Sequence, residues 1–179
     1  MSAERVSAGI ELAFDVDTEE RIRALWAPLE EIGVATLATH THRQHRPHLT
    51  VVVADWLEVA AVREATAAVA WPGPLPVQFA FVGHFDTGPF WLGVVVTREL
   101  IDLHRAFHDA LNAAGITGWP HYLPGRWTPH STLAMRVGDE QLAPASKLAL
   151  AALPISGRIV AADIVRHTTT AAEYLPLSR

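Results

Sequence analysis

A stretch that combines proline, histidine and threonine at fixed spacing occurs twice in this sequence. It reads PHLTVVV over residues 47–53 and PHSTLAM over residues 129–135. Histidine has an unperturbed pKa of about 6.5, so two histidines can supply both the acid and the base of one reaction near neutral pH. A hydroxyl two positions along can donate a hydrogen bond to an oxygen that gains negative charge. The residue types and their spacing therefore indicate acid–base catalysis on an anionic group.

Both copies are predicted to be β-strands. In each copy a proline precedes an apolar, β-prone run, and the first residue of a strand tolerates the missing N–H of proline. Side chains alternate between the two faces of a strand, so the histidine and the threonine of each copy share one face. The opposite, apolar face is predicted to contain Leu49, Val51 and Val53 in the first copy and Leu133 and Met135 in the second. Each strand can therefore pack on one side and present a histidine and a hydroxyl on the other.

The elements around the two copies follow the same order twice: strand, helix, motif strand, helix, strand. The first strands begin at Ile10 and Phe90, 80 residues apart, and the motif histidines His48 and His130 lie 82 residues apart. A repeat of this length indicates two similar lobes, since solenoids need several shorter repeats. We predict an α+β fold of duplicated β-α-β-α-β units with pseudo-two-fold symmetry, in which antiparallel sheets surround a central cleft and the helices lie outside. The lobe-forming repeats are predicted at about residues 9–83 and 89–168 of a single domain over residues 1–179.

Capping residues and the helical spacing of apolar side chains place the helices. The predicted helices run from Asp17, in a capping box with Glu20, to Gly33, start at Asp55 or Glu58, run from Thr97 to Gly115, and run from Pro144 to Ala152. The last of these is placed at Pro144 because a helix accepts proline only in its first turn. An edge strand is predicted over residues 170–177.

Composition excludes several classes of function. The chain has 179 residues, half of them apolar, which is enough for a sizeable core, and a net charge of −5, which disfavours a surface for long nucleic acids. A short RNA end or a small nucleotide stays possible. There are no cysteines, which excludes disulfides and thiolate chemistry. No apolar run reaches membrane-spanning length and residues 1–5 lack a signal-peptide pattern, so no membrane association and a cytoplasmic location are expected, with the oligomeric state left open.

Two histidines and two hydroxyls in near-symmetry suit an in-line displacement at phosphorus, in which one histidine activates the nucleophile and the other protonates the leaving oxygen. Each such proton transfer typically contributes about 10²–10⁴-fold. No carboxylate cluster accompanies the motifs, so neither a metal nor a cofactor is predicted. The spacing of His40, His42, His45 and His48 suggests a metal cluster, but without carboxylates or cysteines we interpret this stretch as a solvated loop. His104 and His108 lack the glutamate of the zinc motif and are interpreted as a partly buried pair on one helix face.

The two motifs resemble the His-x-Thr/Ser-x hallmark of the 2H phosphoesterases. The sequence is most similar to the branch called 2′-5′ RNA ligase or RNA 2′,3′-cyclic phosphodiesterase, also through the stretches VGHF at residues 82–85 and FWLGV at residues 90–94. The resemblance covers about residues 10–166, and Ser131 departs from the apolar residue usual at its position. It implies a bilobal α+β fold and metal-independent chemistry on 2′,3′-cyclic phosphates or related phosphodiesters.

His48 and His130 are the predicted catalytic residues, and Thr50 and Thr132 are the predicted phosphate-binding residues. The predicted substrate-binding residues, placed only by their proximity to the motifs, are Arg46, Tyr122, Arg126 and Trp127. The expected partner is a small nucleotide or an RNA end. Two alternatives stay open: a module that binds nucleotides or RNA ends without turnover, and the same chemistry on ADP-ribose cyclic phosphate or 2′-5′ oligonucleotides.

Overall fold

The structure, a computed structural model, describes residues 7–55, 57–168 and 170–178. The strands in this part of the chain are β1 (Ser7–Phe14), β2 (His48–Ala54), β3 (Leu75–His84), β4 (Phe90–Val94), β5 (His130–Ala134), β6 (Ile155–His167) and β7 (Ala172–Ser178). The α-helices are α1 (Val16–Arg23), α2 (Trp26–Glu31), α3 (Val59–Thr66), α4 (Arg98–Ala113) and α5 (Asp139–Ala151), with a 3-10 turn at Pro120–Tyr122. Residues 1–5, where the sequence predicts no signal peptide, lie outside the described part. Within it, no helix has the length and apolar character needed to cross a bilayer.

All seven strands belong to one antiparallel sheet of order β2-β1-β6-β3-β4-β5, with β7 paired to β6. When β1, β2 and β3 exchange places with β4, β5 and β6, the same order results, read from the opposite edge of the sheet. The pseudo-two-fold axis therefore runs between β6 and β3, and the predicted α+β class is confirmed.

The third strand of each repeat pairs with the first strand of the other repeat. β3 lies between β4 and β6, and β6 lies between β3 and β1. The 13-residue β6 reaches both halves, because it pairs with β3 near Ile155 and with β1 as far as His167. The sheet of each half therefore includes a strand from the other half. The predicted residue bounds of the lobe-forming repeats stay a prediction.

Two of the predicted helix starts are wrong, and the first predicted helix is not continuous. The first helix begins after Asp15, whose side chain accepts from the Thr18 amide at 2.8 Å, and it divides into α1 and α2 around residues 24–25. α5 begins at Asp139, so Pro144 lies inside the helix rather than in its first turn. Pro144 is exposed, so the carbonyl that loses its helical partner can be hydrated. The N-caps at Glu58 and Thr97 and the last strand, β7, are confirmed.

The apolar core lies between the helices and one face of the sheet. It includes alternate residues of β3, which is buried at Val77 and Phe79 and exposed at Phe81. Phe79 is fully buried and meets the ring of Phe14 edge to face at 5.4 Å between centroids. Since β3 joins the two halves of the sheet, Phe79 packs at the centre of the molecule.

Replacing Phe79 should therefore test how far the two halves depend on one core. We expect Phe79→Ala to lower the free energy of unfolding by about 3–5 kcal/mol, because a large cavity remains in a site that cannot collapse. Urea unfolding measures this change. The control is Phe81→Ala on the exposed face of the same strand, which should cost much less; equal losses would contradict the packing described.

Candidate active site

Both motif histidines and both motif threonines line one cavity of about 700 Å³. β2 and β5 show the same pattern, with the histidine and threonine partly exposed and the residue between them, Leu49 or Ser131, buried. The structure thus brings together His48, Thr50, His130 and Thr132 on the open face of the sheet. This agrees with the face assignment made for the motifs themselves.

A β-bulge interrupts each motif strand at an equivalent position. β1 pairs Glu11 with Thr50 and Ile10 with Val52, so Val51 is an extra residue; β4 skips Leu133 in the same way. Bulges re-aim the side chains that follow them. As a result Val53 and Met135 line the cavity, and their predicted placement on the apolar face is wrong.

The backbone before each motif fixes the orientation of the histidine ring. His48 Nδ1 lies 2.7 Å from the carbonyl oxygen of Arg46, and His130 Nδ1 lies 2.6 Å from that of Thr128. Each carbonyl belongs to the residue before a proline, which is held in extended geometry. A carbonyl only accepts, so Nδ1 of each ring carries a proton and donates it. Nε2 is then the atom of each neutral ring that can take up a proton.

His130 sits among aromatic rings. Its ring centroid is 5.1 Å from that of Phe85 and 5.4 Å from that of Trp91. Burial lowers the pKa of His130 from its ordinary value, the hydrogen bond to Thr128 opposes this change, and the positive charge of His48 adds to it. Since its pKa is below the ordinary value, His130 is set up to be neutral near pH 7.

His48 lies beside a buried carboxylate that sequence reasoning missed. Glu11 on β1 is 4 % exposed, and its Oε1 atom is 3.4 Å from Nε2 of His48 and 2.9 Å from Nε2 of His167. Burial opposes the ionisation of Glu11, but His48, His167 and Arg46 outweigh it and hold the pKa of Glu11 below its ordinary value. The sequence contained a signal for this role. Glu11 is a charged residue between the core residues Ile10 and Leu12, and alternation along β1 places it on the face of the sheet that carries the motif histidines.

Three histidines beside Glu11 bring their ring nitrogens within 4.8 Å of one another: His42, His45 and His167. By distance alone these nitrogens could hold a divalent cation. However, the Gln44 amide donates to Nδ1 of His42 at 3.0 Å, so the proton of neutral His42 is on Nε2. That Nε2–H faces Nδ1 of His167 at 3.1 Å, where a metal ligand would need a free lone pair. The three contacts form a hydrogen-bonded chain from the Gln44 amide through His42 and His167 to Glu11. The loop before β2 is also less solvated than its sequence predicts, since His42 is buried.

Three of the four residues predicted to bind substrate line the cavity, namely Tyr122, Arg126 and Trp127. Burial, with a contribution from Glu11, raises the pKa of Tyr122, so its phenol stays a hydrogen-bond donor. The fourth residue, Arg46, lies outside the cavity. Its guanidinium pairs with Asp163 and lies over the ring of Tyr174, 4.2 Å from the centroid.

The loop that carries these three residues is anchored to the first half of the molecule. Trp127 Nε1–H donates to the Thr50 carbonyl at 2.8 Å, and the Trp119 amide donates to the Val53 carbonyl at 2.7 Å. From α4, Nε2 of His104 contacts the Tyr122 carbonyl at 2.8 Å, and Nε2 of His108 contacts the carbonyl of the bulged Val51 at 3.1 Å. Both histidines are almost fully buried, so their interpretation as a helix-face pair agrees with the structure.

The loop before β2 makes the reciprocal connection. The Leu37 amide donates to the carbonyl of Leu133, the bulged residue of β5, at 2.9 Å, and Thr36 forms a β-bridge with Ala134. Each loop that precedes a motif strand is thus bonded to the motif strand of the other half. The walls of the cavity are held by hydrogen bonds between the halves.

Comparisons with known proteins agree with this geometry. The family model of the 2'-5' RNA ligase superfamily matches residues 16–171, and the chain belongs to this superfamily, whose members are phosphoesterases of the 2H type. LigT from E. coli in complex with NADP+ has 17% sequence identity, with 98% of this chain and 96% of LigT covered and a TM-score of 0.64.

Two further solved structures share the fold. A protein described as a phosphoesterase has 15% identity, 98% and 96% coverage and a TM-score of 0.67. Usb1 from Kluyveromyces marxianus with uridine monophosphate has 11% identity, 97% and 99% coverage and a TM-score of 0.50. None of the curated proteins matches the sequence. Family membership supports an enzyme of the 2H phosphoesterase kind.

The buried histidines of α4 predict a dependence of stability on pH. Burial and the repulsion of His108 lower the pKa of His104 to about 4, although the bond to the Tyr122 carbonyl opposes this shift. In the unfolded chain the pKa of histidine is about 6.5, so between these two values only the unfolded chain binds the proton and stability falls as the pH falls. From pH 7.5 to pH 5 we expect His104→Gln to lose roughly 1–2 kcal/mol less than the unmodified protein.

Urea unfolding at the two pH values measures this difference. His84→Gln, at an exposed residue of β3, is the control and should show the pH dependence of the unmodified protein. The same pH dependence in His104→Gln and in the unmodified protein would contradict the burial of a neutral His104.

Proposed function

We propose that this protein is a metal-independent phosphodiesterase that hydrolyses the 2′,3′-cyclic phosphates of RNA ends or nucleotides by two-histidine acid–base catalysis. The observation that carries the proposal is the pair of motif imidazoles on one cavity, each with its Nδ1–H donated to a backbone carbonyl. This bond fixes the tautomer and leaves Nε2 of each ring for proton transfer. One ring can then act on the nucleophile and the other on the leaving group.

In the proposed reaction a water oxygen attacks phosphorus while the bond from phosphorus to the sugar O3′ breaks. The neutral imidazole takes the proton of the water, and the imidazolium gives its proton to O3′, so that the product is a 2′-phosphate. Thr50 and Thr132, one beside each histidine, are the proposed donors to the phosphoryl oxygens. The two proton transfers leave the histidines with exchanged protonation states, which solvent restores.

The cavity suits a small nucleotide. Its volume of about 700 Å³ lies within the range of about 300–1,000 Å³ that is usual for small-molecule sites. Aromatic side chains that can stack on a base line it, among them Phe85, Trp119 and Trp127, and Arg126 can contact a phosphate. The nucleotides bound to LigT and to Usb1 in their structures support the same class of ligand.

The proposal predicts that either histidine alone is indispensable. His48→Ala and His130→Ala should each reduce the hydrolysis of uridine 2′,3′-cyclic phosphate by at least about 10²-fold, because each removes one proton transfer. The assay is product formation by chromatography with a chelator present. His121→Ala, at an exposed residue of the cavity rim, is the control. A His48 or His130 variant with most of its activity would reject the proposal.

The threonines should matter less than the histidines. We expect Thr50→Val and Thr132→Val each to lower kcat by about 10²–10³-fold, since each removes one donor to the charge that develops on phosphorus. The measurement is kcat and KM for the same cyclic phosphate, with Thr50→Ser and Thr132→Ser as controls that keep the hydroxyl. A change confined to KM would contradict a role in the transition state.

A panel of cyclic phosphates and 2′-5′ dinucleotides separates the remaining possibilities. Turnover of ADP-ribose cyclic phosphate or a 2′-5′ dinucleotide in preference to RNA-type cyclic phosphates would change the substrate but keep the chemistry. Tight binding of a cyclic nucleotide without any product after long incubation would instead show a binding module.

A further inference from the structure

The two halves of the site differ at one pair of equivalent positions. Glu11 on β1 pairs with Thr50, and Trp91 on β4, 80 residues later, pairs with Thr132 in the same register. Each of the two residues pairs with the threonine that directly precedes the bulged residue of a motif strand, Val51 or Leu133, and lies beside the motif histidine of that strand. The environment of one histidine therefore contains a carboxylate where that of the other contains an indole. This is where the pseudo-symmetry of the site breaks.

The negative charge of Glu11 is buried and needs a nearby cation. Arg46 is paired with Asp163, so most of its charge is already compensated. The side-chain atom Oε2 of Glu11 has no hydrogen-bond donor among the described residues, and Oε1 faces His167 and His48. The titratable and charged groups around Glu11 and His48, from all the elements packed against them, are Arg46, His42, His45, Tyr122, His130, Asp163, His167 and Tyr174.

The hydrogen bonds of His167 assign a donor or acceptor role to each of its ring nitrogens. Because the Gln44 amide donates to Nδ1 of His42, Nε2–H of His42 must donate to Nδ1 of His167. Nδ1 of His167 is then an acceptor, and the single proton of His167 is on Nε2, which donates to Glu11 at 2.9 Å. Of the two imidazoles that face Glu11, only His48 has hydrogen-bond partners that accept at both ring nitrogens, since Nδ1 of His167 is itself an acceptor. Its Nδ1–H is donated to the Arg46 carbonyl, and its Nε2 is 3.4 Å from the carboxylate.

We propose that Glu11 is a positioning residue that holds His48 as imidazolium, which makes His48 the general acid and His130 the general base. This inference rests on the proposed function, since it assigns the two roles that the motif symmetry leaves open. At 3.4 Å the His48–Glu11 contact is an ion pair but too long for a strong hydrogen bond, so the Nε2 proton can pass to a substrate oxygen. His130, between Phe85 and Trp91, has no such carboxylate partner among the described residues and takes the proton of the attacking water.

With these roles, every bond and proton of the hydrolysis is accounted for. Water adds to phosphorus, its proton goes to Nε2 of His130, the P–O3′ bond breaks, and O3′ receives the proton from Nε2 of His48. Glu11 stays ionised throughout and transfers no proton.

A leaving-group test separates the acid from the base. Uridine 2′,3′-cyclic phosphate is compared with its analogue in which the bridging 3′ oxygen is sulfur, because a thiolate leaves without protonation. On the oxygen substrate His48→Ala, Glu11→Gln and His130→Ala should all be impaired, by about 10²-fold or more for the histidines. On the sulfur substrate most of the loss in His48→Ala and Glu11→Gln should disappear, whereas His130→Ala should stay impaired. Sulfur rescue of His130→Ala but not of His48→Ala would overturn the assignment.

The pH–rate profile supplies a readout that a purely structural role of Glu11 would not move. A general acid must be protonated when it acts, so the rate falls as the pH rises past the point where the acid loses its proton, and a carboxylate beside an acid favours the charged form. In Glu11→Gln the descending limb should shift by about 1–2 pH units to lower pH, in line with the loss of an opposite charge at this distance. Glu11→Asp keeps the negative charge, so its descending limb should lie close to the pH seen in the unmodified protein. Glu19→Gln, which removes a carboxylate paired with Arg23 outside the cavity, should leave the profile unchanged.

NMR titration of the His48 ring separates this inference from the proposed function. The midpoint for His48 should fall in Glu11→Gln and not in Glu19→Gln, whether or not any substrate is turned over. If the unmodified protein hydrolyses no cyclic phosphate but the midpoint falls, the proposed function fails and the coupling of Glu11 to His48 stands. An unchanged midpoint in folded Glu11→Gln would overturn the inference.

Discussion

The hydrogen bond from each motif histidine to the carbonyl two residues before it is the interaction on which the site depends. A proline between the two residues holds the carbonyl in place, and the carbonyl in turn fixes the ring and its tautomer. Without this bond, the same histidine on the same strand could turn either nitrogen to the cavity. The three-residue spacing of carbonyl, proline and histidine therefore does more than start a strand, because it selects the atom that exchanges protons.

Two kinds of exchange between the halves keep the paired rings facing one cavity. The third strand of each repeat lies in the sheet beside the first strand of the other, and the loop before each motif strand bonds to the motif strand opposite. The bulged residues Val51 and Leu133 add further links between the halves, since the Val51 carbonyl accepts from His108 of α4 and the Leu133 carbonyl accepts from the Leu37 amide. Separation of the two motif strands would thus break hydrogen bonds on both sides of the cavity. Rigid support of this kind is what acid–base geometry requires.

Much of the fold and the core of the site follow from local patterns in the sequence, whereas contacts across the sheet do not. The duplicated order of elements, the face of His48 and His130 and the caps at Glu58 and Thr97 are readable because alternation and capping are local. The turn of Val53 and Met135 toward the cavity was missed because a bulge reverses alternation and depends on the partner strand. Arg46 was placed by proximity alone, and its partner Asp163 is more than a hundred residues away. The position of Glu11 beside His48 follows from the pairing of Glu11 with Thr50 across the sheet, which local patterns do not predict.

The most direct test of the account is a crystal structure with a uridine–vanadate complex, which imitates five-coordinate phosphorus. The account predicts that Nε2 of His48 and Nε2 of His130 lie about 2.6–3.2 Å from the two apical vanadate oxygens, one on each side. His48 should contact the oxygen that bridges to the sugar, and His130 the one that stands for water. Vanadate bound away from either ring, or both rings on the same side of it, would contradict the account.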